Sequence, residues 1–227
     1  MNKTINKKKE KSYEGLLSRI LISVIGVSLV GIGLAFNSSA TLGNDPVAVF
    51  YDGVRSLCGL PRENLGLVTN FINCTFIVTM FILGRKYINI GTFIYTLPMG
   101  SFIDLGFKIY HVLNIPETLN GRIFTALCGC SMLFLGVGIF IATNIGMDPC
   151  TGIVIIVRDK IKSQYRTAKI ICDICMLVLG FAFGGKIGAV TVISALIAGP
   201  TIQKISEIVD RKILKWVKLS ELTQNKS

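Results

Sequence analysis

The sequence predicts an all-α integral membrane protein of about six spanning helices and two short half-helices, built from a duplicated and inverted unit. Three observations predict it. The 227 residues are 51% hydrophobic and only 16% charged, with a mean hydropathy of +0.62, which is less charge than a soluble domain of this length carries. Residues 20–44, 65–84, 87–103, 123–147 and 187–203 contain no Asp, Glu, Lys or Arg, and 170–185 contains only Asp173. Each stretch is close to the ~17–25 residues that cross a bilayer core as helix. The chain also repeats itself. Gly31-Ile32-Gly33 and Leu42-Gly43-Asn44-Asp45-Pro46 return as Gly136-Val137-Gly138 and Ile145-Gly146-Met147-Asp148-Pro149, and Val54-Arg55, Gly84, Lys86, Thr92 and Gly100 return as Val157-Arg158, Gly184, Lys186, Thr191 and Gly199.

The elements follow in order. Residues 1–15 form a basic N-terminus. The apolar stretch after Arg19 is too long for a signal-peptide core and belongs to the repeat, so no cleavage is expected. Repeat 1 covers 16–112: a long helix from 16 to about 38, a break at Asp45-Pro46, a short segment over 47–57, and two further long helices. A turn over 113–121, marked by Pro116, Glu117, Asn120 and Gly121, joins it to repeat 2 over 122–204. Repeat 2 has a long helix from 122 to about 143, a break at Asp148-Pro149, a short segment over 150–161 and two more helices. Residues 205–227 form a basic amphipathic tail (Ile205, Ile208, Val209, Ile213, Trp216, Val217) expected to lie along the inner surface against anionic lipids.

The short segments decide the topology. About 11 residues make about 16 Å of helix, half a bilayer. If they are re-entrant, each repeat crosses three times and the second repeat is upside down; if they span together with the preceding residues, each crosses four times and the repeats are parallel. Six crossings are preferred, because Asp45 and Asp148 would interrupt spanning helices. With the N-terminus inside, nineteen of the twenty-four Lys and Arg fall on the inner side, leaving Arg55, Arg62, Lys108, Arg122 and Lys186 outside. That bias marks cytoplasmic loops and accounts for the net charge of +11 without nucleic acid.

Enzymatic chemistry finds no support. The single histidine, His111, has no nucleophile to serve. Cys172-Asp173-Ile174-Cys175 lacks a second ligand pair, so no metal or cofactor is expected. Gly31-Ile32-Gly33 lies in a spanning segment and lacks the third glycine of a nucleotide loop. Gly26, Gly31, Gly33, Gly129, Gly136 and Gly138 read as close helix packing, and Pro98 and Pro200 as helix kinks.

The candidate substrate- or ion-binding residues are Asn44, Asp45, Asp148, Asn70, Asn73 and Asp173. Asp followed by Pro is a helix start, with Asp as N-cap and Pro at the first helical position. Paired breaks inside an apolar repeat also point to a transport site, since irregular backbone at membrane depth must line protein or a wet cavity. Asp173 is an ionisable group inside a spanning segment and by default a functional candidate, with Lys169 at i−4 as a partner. Asn73 is its repeat equivalent, and Asn70 lies on the same face. Arg55 and Arg158, ten residues past the two aspartates, are candidate charge partners; helix-end anchoring is the competing reading.

At the two Asp-Pro segments, at Gly188 to Thr191 and at Gly199-Pro200, the chain resembles the YczE/YitT group of bacterial membrane proteins over about residues 15 to 212. The resemblance implies a bacterial plasma-membrane protein, nearer to the YczE branch because YitT-type members often carry a soluble C-terminal domain; the charge bias with six crossings places both termini in the cytoplasm. The expected function is a small-solute transporter or permease with a polar centre at the breaks. The alternatives are a substrate-binding membrane subunit with an energising ATPase partner, an oligomer of such units, or a non-transporting scaffold.

Overall fold

The computed structural model describes residues 2–214, with side chains over 15–212. The basic side chains before Gly15 and the tail residues Trp216 and Val217 lie outside the described residues. Among those described, the elements are eight α-helices and short 3-10 or π turns: α1 (Asn2–Ala40), α2 (Pro46–Leu57), α3 (Leu65–Leu83), α4 (Ile90–Leu113), α5 (Leu119–Thr143), α6 (Pro149–Ile161), α7 (Tyr165–Ala182) and α8 (Ala189–Val209). Five helical stretches are long and apolar enough to cross a membrane: Gly15–Ala40, Arg62–Leu83, Ile90–Leu113, Leu119–Thr143 and Ala189–Lys212. The sixth expected crossing, α7, has 18 residues and carries Arg166, Lys169 and Asp173 in its first half.

Two boundaries differ from expectation. Helix α4 runs ten residues past Ile103, because Asp104 and Lys108 sit on exposed turns where charge does not oppose helix formation. The start of the basic tail is not a separate surface helix. Ile205 and Val209 continue α8, and Ile205 packs over Gly138 on α5 before a π turn at Asp210–Leu214.

Helices α1 and α5 form the spine. Gly26 meets Gly136 and Phe140, while Gly33 meets Gly129 and Leu133, so the two helices run antiparallel. A methyl group at Gly33 would come within 2.7 Å of the Gly129 carbonyl; glycine on both sides lets the backbones touch. Helix α4 packs along α1, with Gly31 against Phe102 and Gly106 against Ala35, and α8 packs along α5. Each short helix then crosses to the opposite half. Gly53 on α2 faces Gly180 on α7, and Gly152 on α6 faces Met80 on α3. Val27, Ala35, Met99, Ile103 and Phe140 are the buried centre of this packing. Leu67, Phe71, Ile82, Leu97, Leu127, Val192 and Leu196 point outward and exposed. So much outward apolar surface would aggregate in water and is the normal exterior of a helix bundle in lipid.

Candidate functional site

The first break (41–45) and the second break (144–148) interrupt the fold at matching places. Thr41 leaves α1 with φ of 56° and Asn144 leaves α5 with φ of 52°. Gly43 (φ 96°) and Gly146 (φ 155°) take backbone conformations that side chains disfavour. Gly43 is doubly constrained, since an added Cβ would lie 2.5 Å from the Gly188 nitrogen and the Thr191 hydroxyl.

Irregular backbone at this depth needs partners, and each break takes them from the other half. The Val190 N–H donates to the Leu42 carbonyl (3.0 Å), and the Gly91 N–H donates to the Ile145 carbonyl (3.3 Å). The Thr191 hydroxyl accepts from the N–H groups of Asn44 (3.1 Å) and Gly188 (3.2 Å). The Thr92 hydroxyl donates to the Met147 carbonyl (2.9 Å) and accepts from the Asn89 N–H (3.3 Å). The start of α8 therefore clamps the first break, and the start of α4 clamps the second.

Both aspartates cap the short helices. Asp45 Oδ1 accepts from the Ala48 N–H and Asp148 Oδ1 from the Thr151 N–H, each at 2.9 Å. Both residues keep partial exposure. Tyr95 on α4 packs edge-on against Phe140 on α5, with ring centroids 5.0 Å apart. Tyr51 donates to Asn73 Oδ1 at 2.7 Å, which ties α2 to α3. Among the described residues the Asn73 amide nitrogen has no partner, nor do the hydroxyls of Thr69 and Thr96, and the three residues are 0%, 0% and 2% exposed. Unpaired polar groups at that depth are costly, on the order of 1–3 kcal/mol each. Lys169 and Asp173 pair at 2.6 Å on α7, and the charges of both act on Asp45.

The remaining candidates have other partners. Asn70 Oδ1 accepts the Gly100 N–H (2.9 Å), two residues past Pro98 in α4, and so supports the kinked stretch. Neither arginine reaches the aspartate ten residues before it, because ten residues of helix span about 15 Å. Arg55 pairs with Asp52 at 2.8 Å and also donates to the Leu60 carbonyl; Arg158 pairs with Asp159 at 2.6 Å. The sequence reading missed Tyr51, Tyr95, Thr69 and Thr96. Thr69 lies one turn before Asn73 on the same face, and that spacing was the available signal.

Residues 17–207 match the family described as "Family of unknown function (DUF6198)". The chain belongs to this family. It is 23% identical over 192 residues to an uncharacterized protein of Haemophilus influenzae, covering 85% of each chain. It is 23% identical over 190 residues to the uncharacterized protein YyaS of Bacillus subtilis, covering 84% of this chain and 93% of that one. Against the uncharacterized membrane protein YczE of Bacillus subtilis, identity is 23% over 180 residues, covering 79% and 78%. No solved structure matches. The apolar helices and the YczE likeness make the chain a multi-pass membrane protein in a lipid bilayer.

Proposed function

We propose that the chain is a plasma-membrane permease for a small solute, made of two inverted three-crossing halves around a polar centre, with both termini cytoplasmic. One observation carries the reading: the two Asp-Pro breaks, 103 residues apart in sequence, are each clamped by the start of a helix from the opposite half. The antiparallel pairing of α1 with α5, the corresponding first helices, is what an inverted repeat requires. The unpartnered polar atoms of Asn73, Thr69 and Thr96 supply groups that a solute could satisfy, and the Lys169–Asp173 pair supplies a charge switch beside Asp45. Basic segments at the inner surface attract anionic lipid.

The test begins with purified protein in detergent, screened against metabolites for ligands that raise its melting temperature. The solute found is then followed into proteoliposomes. Asp45→Asn, Asp148→Asn and Asp173→Asn are expected to melt near the parent, since Asn caps helices as well as Asp does, and to lose most of the flux. Parental flux in all three variants would overturn the proposal.

A further inference from the structure

A second polar feature lies beside the first break, apart from the tyrosine centre. A crevice of about 20 Å³ opens there, lined by Asn37, Thr41, Asn44, Asp52, Arg62 and Lys186 among others. That volume holds about one water-sized particle. Its wall is rich in donors. Asn44 is 7% exposed; its carbonyl accepts from the Asp45 N–H (3.0 Å) and from the Asn37 amide (3.5 Å), while its own amide nitrogen makes no hydrogen bond among the described residues. Arg62 and Lys186 enter no ion pair among the described residues. The one acid in the wall, Asp52, is matched by Arg55 at 2.8 Å, and Asp45 is not part of the lining. The crevice therefore presents an amide nitrogen that makes no hydrogen bond among the described residues and two cations without an ion pair there, with the start of α8 clamped onto its rim.

We propose that this crevice binds one compact monovalent anion, the carboxylate group of a small solute or a halide ion, held by the Asn44 amide, Arg62 and Lys186. The second break lacks the equivalent site. Met147 stands where Asn44 stands, and Lys86, the counterpart of Lys186, lies 3.8 Å from Asp159. The anion site does not depend on transport, so its failure would leave the permease reading intact.

The probes are sodium acetate and sodium chloride, titrated into the full chain in detergent at constant ionic strength balanced with sodium sulfate. Sulfate, a tetrahedral dianion, is bulkier than a halide or the flat end of a carboxylate. Melting temperature is expected to climb with the logarithm of acetate or chloride concentration. Response to acetate alone identifies a carboxylate site and response to both a general monoanion site. Asn44→Leu should abolish the climb. Lys186→Gln, at an exposed position that leaves folding intact, should weaken apparent affinity about ten- to a hundredfold, as loss of a charged hydrogen bond does. Met147→Leu should respond like the parent. No anion-dependent climb in the parent, or an undiminished climb in Lys186→Gln, would overturn the proposal even if Asn44→Leu does not fold.

Discussion

The two breaks share a backbone and differ in their side chains. Each ends a long helix in the left-handed region, turns on a glycine with positive φ, hands a carbonyl to the opposite half, and starts a short helix with Asp-Pro. The first break then carries Asn44 and faces Arg62 and Lys186, while the second carries Met147, and Lys86, the counterpart of Lys186, pairs instead with Asp159. The parts held in common are those the fold needs: caps, clamps and glycines that satisfy irregular backbone inside a bundle. The parts that differ touch open space. Architecture is thus symmetric and chemistry is one-sided, and substitutions at matching positions can separate the two.

The largest effect is expected at the glycines. Gly43→Ala forces a side chain to φ of 96° and against the Gly188 backbone, so it should cost about 3–5 kcal/mol from strain and overpacking together. At Gly146 the nearest obstacles to a Cβ are the Asn89 Cβ at 2.9 Å and the Gly91 backbone at 3.1 Å, a looser fit than the 2.5 Å contacts at Gly43. Gly146→Ala should therefore lose clearly less in a denaturation series in detergent. Equal losses would mean that the clamps are equally rigid.

Next come the arginines. The Arg55 and Asp52 side chains are 11% and 17% exposed, whereas those of Arg158 and Asp159 are 36% and 37% exposed. Arg55→Gln strands Asp52 in a confined site and should destabilise by about 3 kcal/mol, since breaking a mostly buried pair leaves an uncompensated charge. Arg158→Gln should barely move the melting temperature, as exposed pairs contribute little. An Arg158 effect matching that of Arg55 would erase this difference between the halves.

Much of this frame was legible in the sequence because it rests on local signals. Asp-Pro marks a helix start wherever it occurs, and α2 and α6 begin at Pro46 and Pro149 as those signals require. The glycines of α1 and α5 pair as their spacing suggested. What depends on long-range pairing was not legible. Nothing local says that Thr191 will hold Asn44, that Asn70 will serve Gly100, or that Arg55 will turn back to Asp52. Tyr51 and Tyr95 read as ordinary apolar-face residues until the fold sets them against Asn73 and Phe140.

A smaller effect concerns the residue that leaves each long helix. Asn144 is a residue type that tolerates the left-handed region, whereas Thr41 is β-branched and strained at φ of 56°. Thr41→Asn should stabilise the protein by about 1 kcal/mol by relieving that strain. The reverse change, Asn144→Thr, should cost about as much. Opposite shifts of the melting temperature in the two variants would show that the breaks are interchangeable in backbone; a destabilised Thr41→Asn would show that the threonine packs to some purpose in the crevice it lines.

The smallest effect is a pH dependence at the far end of α6, eleven residues past Asp148. Asp159 accepts from the Tyr87 hydroxyl and from Arg158, and these two bonds, the tyrosine's first, hold its carboxylate below the usual range. The folded carboxylate binds its proton less tightly than the unfolded one. Its contribution is therefore complete above the unfolded value of about 3.9 and is lost as pH falls through the lower folded value. The melting temperature of the parent should drop across that acid window slightly more steeply than that of Tyr87→Phe, which lacks the hydroxyl. Coincident acid limbs for the two proteins would mean that the tie between Tyr87 and Asp159 adds nothing to stability, leaving the α4 clamp on the Met147 and Ile145 carbonyls to hold the second break.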